Sequence, residues 1–252
     1  MTAEDLLDIT GGSVIAVVGC GGKTSLIELL ADRFRDKKVL VSPTTKMLPM
    51  NIRGITLRET LRQCEEYEPQ PGIQQLGLWN PARGKLEALP DEILARLVSR
   101  CDITLLEADG SRGLPCKGWR ANEPVVPHYC THTVGIVTLA ALGKAAVQNI
   151  VPNGNLGFQP RQQVHRLPEF LALTGLKEGE TITTEALQAM VCGRRGMFQN
   201  SAGRRFLLVN QVEDNAASCA ARDFLRTVKE KYPHRFEKLL YGSVHKNCWQ
   251  EE

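Results

Sequence analysis

The chain has 252 residues, 42% apolar and 23% charged side chains, 22 Gly and 13 Pro, proportions that exclude a disordered, collagen-like or disulfide-scaffold protein. Lys and Arg number 31 against 28 Asp and Glu, a net charge of +3, so neither nucleic acid nor a membrane is expected as a partner. No apolar run approaches the roughly 18 residues of a membrane span, the acidic start MTAEDLLDIT has no signal-peptide character, and a cytoplasmic protein is expected.

In chain order, the apolar run Val14 to Val18 predicts a strand. The loop GCGGKTS follows, then LIELLADRF, where Leu26, Ile27, Leu29, Leu30 and Phe34 share one helical face. Val39 to Val41 is a second strand, stopped by Pro43. Leu57 to Trp79 holds a weaker helix and a strand over QQLGLW; GKLEAL and the helix PDEILARLVSR then lead into a third strand, Ile103 to Leu106. A loop stiffened by Pro115, Pro124 and Pro127 precedes TVGIVTLAAL, read as a strand opening into a helix. Turn formers fill 149–163, the candidate boundary of a mainly helical subdomain over 149–200 that carries LPEFLALTG and TTEALQAMV. Phe206 to Val209 is another strand, Ala216 to Lys231 a helix, and LLYGSV a last strand. Short buried runs separated by helices predict an α/β fold: one domain, with a mainly parallel sheet covered by helices on both faces and a smaller helical segment before the last strands.

The strongest local signal is Gly19-Cys20-Gly21-Gly22-Lys23-Thr24, with Ser25, between an apolar strand and an amphipathic helix. A phosphate loop needs glycines where backbone bends around phosphate oxygens, free N–H groups at a helix start, a Lys charge and a hydroxyl. Lys23 would neutralise the outer phosphates of ATP or GTP and Thr24 would ligate Mg²⁺. The longer G-x-x-x-x-G-K-[ST] pattern would want glycine where Val17 stands, so the shorter G-x-x-G-K-T form is the one present. Cys20 reads as a small residue tolerated in the loop. Glu107 and Asp109 close the third strand, where a carboxylate can hold Mg²⁺ or orient water on a γ-phosphate. Asn210-Gln211-Val212-Glu213 resembles the N-K-x-D grip on guanine, with Gln for Lys and Glu for Asp.

The eight cysteines form no C-x-x-C pair, and reduced thiols are expected. His128, Cys130 and His132 alternate downstream of Cys116, which leaves a soft-metal site open, although three adjacent alternating groups seldom complete a tetrahedral site.

Taken together, VVGCGGKTSL, SPTTKM, LLEADGSRGLPCKGWRANEPVVP, Val164-His165-Arg166 and LVNQVED resemble the YqeC family, whose members are described as accessory proteins for selenium-dependent molybdenum hydroxylases. The resemblance covers most of the chain and implies a P-loop nucleotide-binding fold. It also implies a molybdenum hydroxylase or another maturation protein as partner. Glu107 to Gly110 is similar to the E-x-x-G of metal-centre maturation GTPases. Thr44, Thr45, Lys46, Arg112, Lys117, Glu123, His165 and Arg166 then become candidates for binding an anionic substrate or for switching with the nucleotide. Three readings remain open: a nucleotide-driven maturation factor; an ATP-dependent ligase or kinase acting on a small anionic substrate, since G-x-x-G-K-T also resembles Mur-type ligase loops; and a binding module without turnover.

Overall fold

The structure is a computed structural model that describes residues 1–147 and 163–252. The turn-rich stretch 149–163 lies outside the described residues except for Gln163. From the amino terminus the elements are α1 (Ala3–Leu6), β1 (Ser13–Gly19), α2 (Lys23–Arg33), β2 (Lys38–Pro43), β3 (Lys46–Met47), β4 (Thr56–Arg58) and α3 (Leu61–Glu65). Next come β5 (Gly72–Leu76), β6 (Leu78–Asn80), β7 (Lys85–Glu87), α4 (Asp91–Val98), β8 (Ile103–Glu107), β9 (Cys116–Lys117) and β10 (His132–Thr138). The chain closes with β11 (Val164–His165), α5 (Leu167–Thr174), α6 (Thr184–Cys192), β12 (Arg204–Asn210), α7 (Asn215–Lys231), β13 (Lys238–Ser243) and β14 (Cys248–Glu251).

Nine strands form one sheet in the order β14-β13-β12-β10-β1-β8-β2-β5-β4. All neighbours are parallel except the edge pair β13 and β14. Side-chain alternation divides the core into two layers. Val14, Ala16 and Val18 of β1 enter one cluster, with Leu94 and Leu97 of α4, Phe170 of α5, Leu187 and Met190 of α6, and Phe224 and Leu225 of α7. Ile15 and Val17 enter the other, with Leu6 of α1 and Leu26, Ile27 and Leu30 of α2. Strands covered on both faces read as unbroken apolar runs, which is why VIAVV and FLLV stand out. Each fully buried Leu or Ile contributes about 1.5–3 kcal/mol relative to exposure. The described part of the proposed helical subdomain shares this core, since α5 and α6 pack into the same cluster as β1 and β12.

Local readings differ in three places. QQLGLW is two strands in two sheets, β5 in the large one and β6 in the antiparallel sheet β3-β7-β6. The chain breaks at Gly77, where a Cβ would stand 2.9 Å from Leu86 Cβ. Over 139–147, directly after β10, no helix forms: Leu142 N–H donates to the Leu139 carbonyl at 3.0 Å and Lys144 N–H to the Ala141 carbonyl at 3.1 Å in successive turns, with Gly143 at φ +76°. The helix read between Leu57 and Trp79 is only α3, begun by Thr60, whose hydroxyl accepts from Gln63 N–H.

β1 is the point where the topology switches side. Strands β8, β2, β5 and β4 lie to one side of it and β10, β12, β13 and β14 to the other. In an open parallel sheet the crevice at the carboxyl ends of such strands is where ligands bind. Gly19, Glu107 and Asn210 are the last residues of β1, β8 and β12.

Candidate functional site

β1 ends at Gly19 and α2 begins at Lys23, so Cys20, Gly21 and Gly22 make the whole turn from sheet to helix. Gly21 and Gly22 hold φ of +97° and +130°, values that favour glycine. Side chains there would also collide: a Cβ on Gly21 would stand 2.7 Å from Thr138 Cγ2, and one on Gly22 2.4 Å from Asn210 Nδ2. Asn210 Nδ2 donates to the Gly21 carbonyl at 2.7 Å, and Asn210 Oδ1 accepts from Val244 N–H at 2.9 Å, so β12 braces the loop.

The amides divide sharply. Gly19 N–H donates to both Asp109 oxygens at 3.2 Å, and Cys20 N–H to the Ile136 carbonyl at 2.8 Å. The N–H groups of Gly21, Gly22, Lys23, Thr24 and Ser25 donate to no protein group among the described residues. Leu26 N–H, bonded to the Gly22 carbonyl at 2.9 Å, starts the helical ladder. No side chain caps α2, so its first-turn amides lack a capping acceptor. Residues Gly21 to Ser25 line one wall of a cleft of about 710 Å³, with Lys46, Lys85, Glu107, Ser111 and Arg112 on the others.

Beneath the loop lies a buried charge cluster. Lys23 Nζ donates to the Gly19 carbonyl at 2.7 Å and to Ser111 Oγ at 3.2 Å, and sits 3.3 Å from Asp109 Oδ1. Lys117 Nζ is fully buried, 3.4 Å from Asp109 Oδ2 and 3.4 Å from Glu123 Oε2. Trp119 Nε1 donates to Asp109 Oδ2 at 2.7 Å. Burial would raise the Asp109 carboxyl, but Lys23, Lys117, the indole and the Gly19 amide together hold it below the usual carboxylate range. Burial likewise works to lower Lys23, and neighbouring Asp109 keeps its ammonium above the ordinary lysine value. Glu107 differs: burial pushes its carboxyl up, against Lys23 and the Thr24 hydroxyl. Thr24 Oγ1 donates to Glu107 Oε2 at 2.9 Å, so a hydroxyl and a carboxylate meet beside the unpaired amides.

The sequence-predicted residues sort accordingly. Thr24 and Glu107 converge at the cleft, whereas Asp109 is turned inward and lines no part of it. Thr44 Oγ1 donates to the Val125 carbonyl at 2.6 Å; Thr45, Lys46, Arg112, Glu123, His165 and Arg166 line an adjoining cavity. Asn210 and Gln211 border an apolar pocket of about 370 Å³, with Thr138, Leu139, Val212 and Ala216. Glu213 does not line that pocket; its carboxylate accepts from Ser243 Oγ at 2.6 Å and pairs with Lys246 at 3.3 Å. The soft-metal constellation does not assemble: Cys116 and Cys130 belong to one core cluster, His132 stacks on Phe206 in the other, and His128 is exposed. No group of three or more His, Cys, Asp or Glu among the described residues is arranged for a metal. Burial pushes the Cys20 thiol up to about 12, which leaves it protonated and unreactive. No helix among the described residues is long and apolar enough to cross a membrane.

Ser111 and Trp119, which hold Lys23 and Asp109, went unread in the sequence, as did Arg83 and Lys85. The first two stand inside the block SRGLPCKGWR, where no spacing rule separates a buried donor from a surface one. Arg83 and Lys85 arrive on the β6–β7 hairpin, whose partner strand is β3.

Comparison with known proteins agrees with the earlier resemblance. The family model described as YqeC protein matches residues 15–153, from β1 through β10 and beyond. The chain is also similar to the "Uncharacterized protein YqeC" of Escherichia coli (strain K12), 29% identical over 241 residues, covering 92% of this chain and 88% of that protein. With the family match taking in the glycine loop, Glu107, Asp109 and the block through Glu123, the chain belongs to the YqeC family.

Proposed function

We propose that this protein binds a magnesium nucleoside triphosphate, ATP or GTP, at the 19–25 loop. We further propose that it acts as a nucleotide-dependent accessory factor in maturing a selenium-dependent molybdenum hydroxylase or its cofactor, in the P-loop manner. One observation carries the nucleotide reading: five consecutive amides, Gly21 to Ser25, find no partner among the described residues and surround a cleft of about 710 Å³ at the sheet's switch point. An anion there would satisfy donors the protein leaves open and meet the positive end of the α2 dipole. The hydroxylase context rests on the family resemblance alone.

The residues present fit Mg²⁺. Mg²⁺ typically keeps one or two protein oxygens and takes the rest from phosphate and water, and Thr24 with Glu107 provides that pair. The ion would supply positive charge against the phosphate oxygens. Lys23, held by the Gly19 carbonyl, is within the same wall and would exchange that contact for phosphate. The apolar pocket beyond Gln211 suits the base.

Calorimetric titration with Mg·ATP and Mg·GTP tests this, with Lys23→Ala and Thr24→Ala beside the parent. Binding of at least one nucleotide is expected, weakened about tenfold or more by either substitution, as for loss of a charge-assisted or metal contact. Absence of binding by the folded parent would refute it. A second reading, ligase or kinase chemistry on a small anionic substrate, draws support from the basic cavity beside the cleft; substrate-stoichiometric ATP consumption would favour it, and slow turnover accelerated by a hydroxylase would favour the maturation factor.

A further inference from the structure

Beside the nucleotide cleft lies a second cavity of about 530 Å³. Five cationic side chains, Lys46, Arg83, Lys85, Arg112 and Arg166, border it against one carboxylate, Glu123. They come from unrelated parts of the chain: β3, the β6–β7 hairpin, the loop after β8, and the start of α5. Part of this charge is answered internally. Lys46 lies 3.2 Å from Glu87 Oε1, Arg83 4.0 Å from the same oxygen, and Arg166 pairs with Glu123. The side chains of Lys85 and Arg112 make no hydrogen bond or ion pair among the described residues. Glu87 thus serves two cations and Glu123 serves Arg166 together with buried Lys117, which leaves the cavity positive.

His165 also lines the wall. Burial, reinforced by Lys117, Arg166 and Arg112 and only partly offset by Glu123, pushes its imidazole down to about 4. The imidazole therefore stays neutral at neutral pH, and the cations on the cavity wall add to what burial does.

We infer that this cavity is the site of a second ligand, a small organic molecule carrying two or more phosphate or carboxylate groups, bound next to the nucleotide. Three arginines offer planar forks for bidentate contact with such groups. Lys46, Lys85, Gly110 and Arg112 border both cavities, so the ligand would lie against the outer end of the triphosphate. The inference takes only the identity of its neighbour from the nucleotide reading; the cavity and its charge stand without it.

The test uses pyrophosphate and citrate as probes, titrated into the full chain saturated with a non-hydrolysable Mg·nucleotide analogue, which blocks the loop. Calorimetry is paired with NMR observation of the His165 imidazole, and Arg83→Glu is the variant, since Arg83 borders only the second cavity and is exposed. Binding of either probe is expected, with the His165 midpoint moving up from about 4. Arg83→Glu should weaken the probe about tenfold or more while nucleotide affinity is unchanged. Pyrophosphate binding without citrate would assign phosphate groups, and the reverse carboxylates. Failure of both probes to bind, or binding that ignores Arg83→Glu and vanishes in Lys23→Ala, would overturn the inference. Should the parent bind no nucleotide yet hold a probe in an Arg83-dependent way, the second site would stand and the nucleotide reading would fall.

Discussion

Asp109 stays ionised with no solvent contact because the Gly19 amide and the Trp119 indole donate to it and the Lys23 and Lys117 ammonium groups pair with it. Removing a carboxylate from such a cluster leaves two buried cations short of a partner, which costs about 3–5 kcal/mol. Asp109→Ala is therefore expected to lose that much in urea denaturation, whereas Asp223→Ala, which breaks an exposed pair with Arg226, should lose under about 1 kcal/mol. Equal losses would contradict a central role for Asp109 beneath the loop. In the sequence, Glu107 and Asp109 were indistinguishable, two carboxylates at the end of one strand. What separates them is long-range: Thr24 reaches one, while Lys117 and Trp119 fold back onto the other from a loop whose path no local spacing reveals. Lys23 and Thr24 were legible because a glycine turn entering a helix leaves few places for the next two side chains to go.

At the level of elements, the loop depends on what packs behind it. β9, which carries Lys117, pairs with β11, and Gly118 next to it lies so close to α5 that a Cβ would stand 2.3 Å from Phe170 N. That neighbour is backbone and cannot swing away, so Gly118→Ala should destabilise by about 1–3 kcal/mol or more through overpacking. Thermal unfolding checks it; an unchanged midpoint would show that β9 and α5 separate without penalty. The central strands were legible for a simple reason: they are covered on both faces, with Ile15 and Val17 in one layer and Val14, Ala16, Leu207 and Val209 in the other, and so leave uninterrupted apolar runs. Short pieces were not. β3, β9 and β11 are two residues each, too short for any periodicity, and they exist only because partners from elsewhere pair with them.

For the molecule as a whole, strand order is the property least visible in sequence, since β8 inserts between β1 and β2 only after the intervening chain has built β3 to β7. The pH response is a property of this scale too. His165 is pushed down to about 4 from 6.5, and His132, buried first and then facing Arg204, is lowered as well. A histidine with a depressed folded value binds its proton more weakly in the native state than in the unfolded one. Stability is thus full above pH 6.5 and falls as pH drops toward about 4. The melting temperature should follow that course, and His165→Gln should flatten it; a melting temperature that rises on acidification through this window would contradict the placement of both rings.

Hydrogen–deuterium exchange at the amides of Gly21 to Ser25 bears most directly on the proposed cradle. Without nucleotide these amides should exchange freely, while Leu26, bonded to the Gly22 carbonyl, is slower. Saturating Mg·ATP or Mg·GTP should protect all five together and leave Cys20, already bonded to Ile136, unchanged. Exchange at Gly21 to Ser25 that stays fast with both nucleotides, or is already slow without them, would contradict an open anion site at the mouth of the sheet.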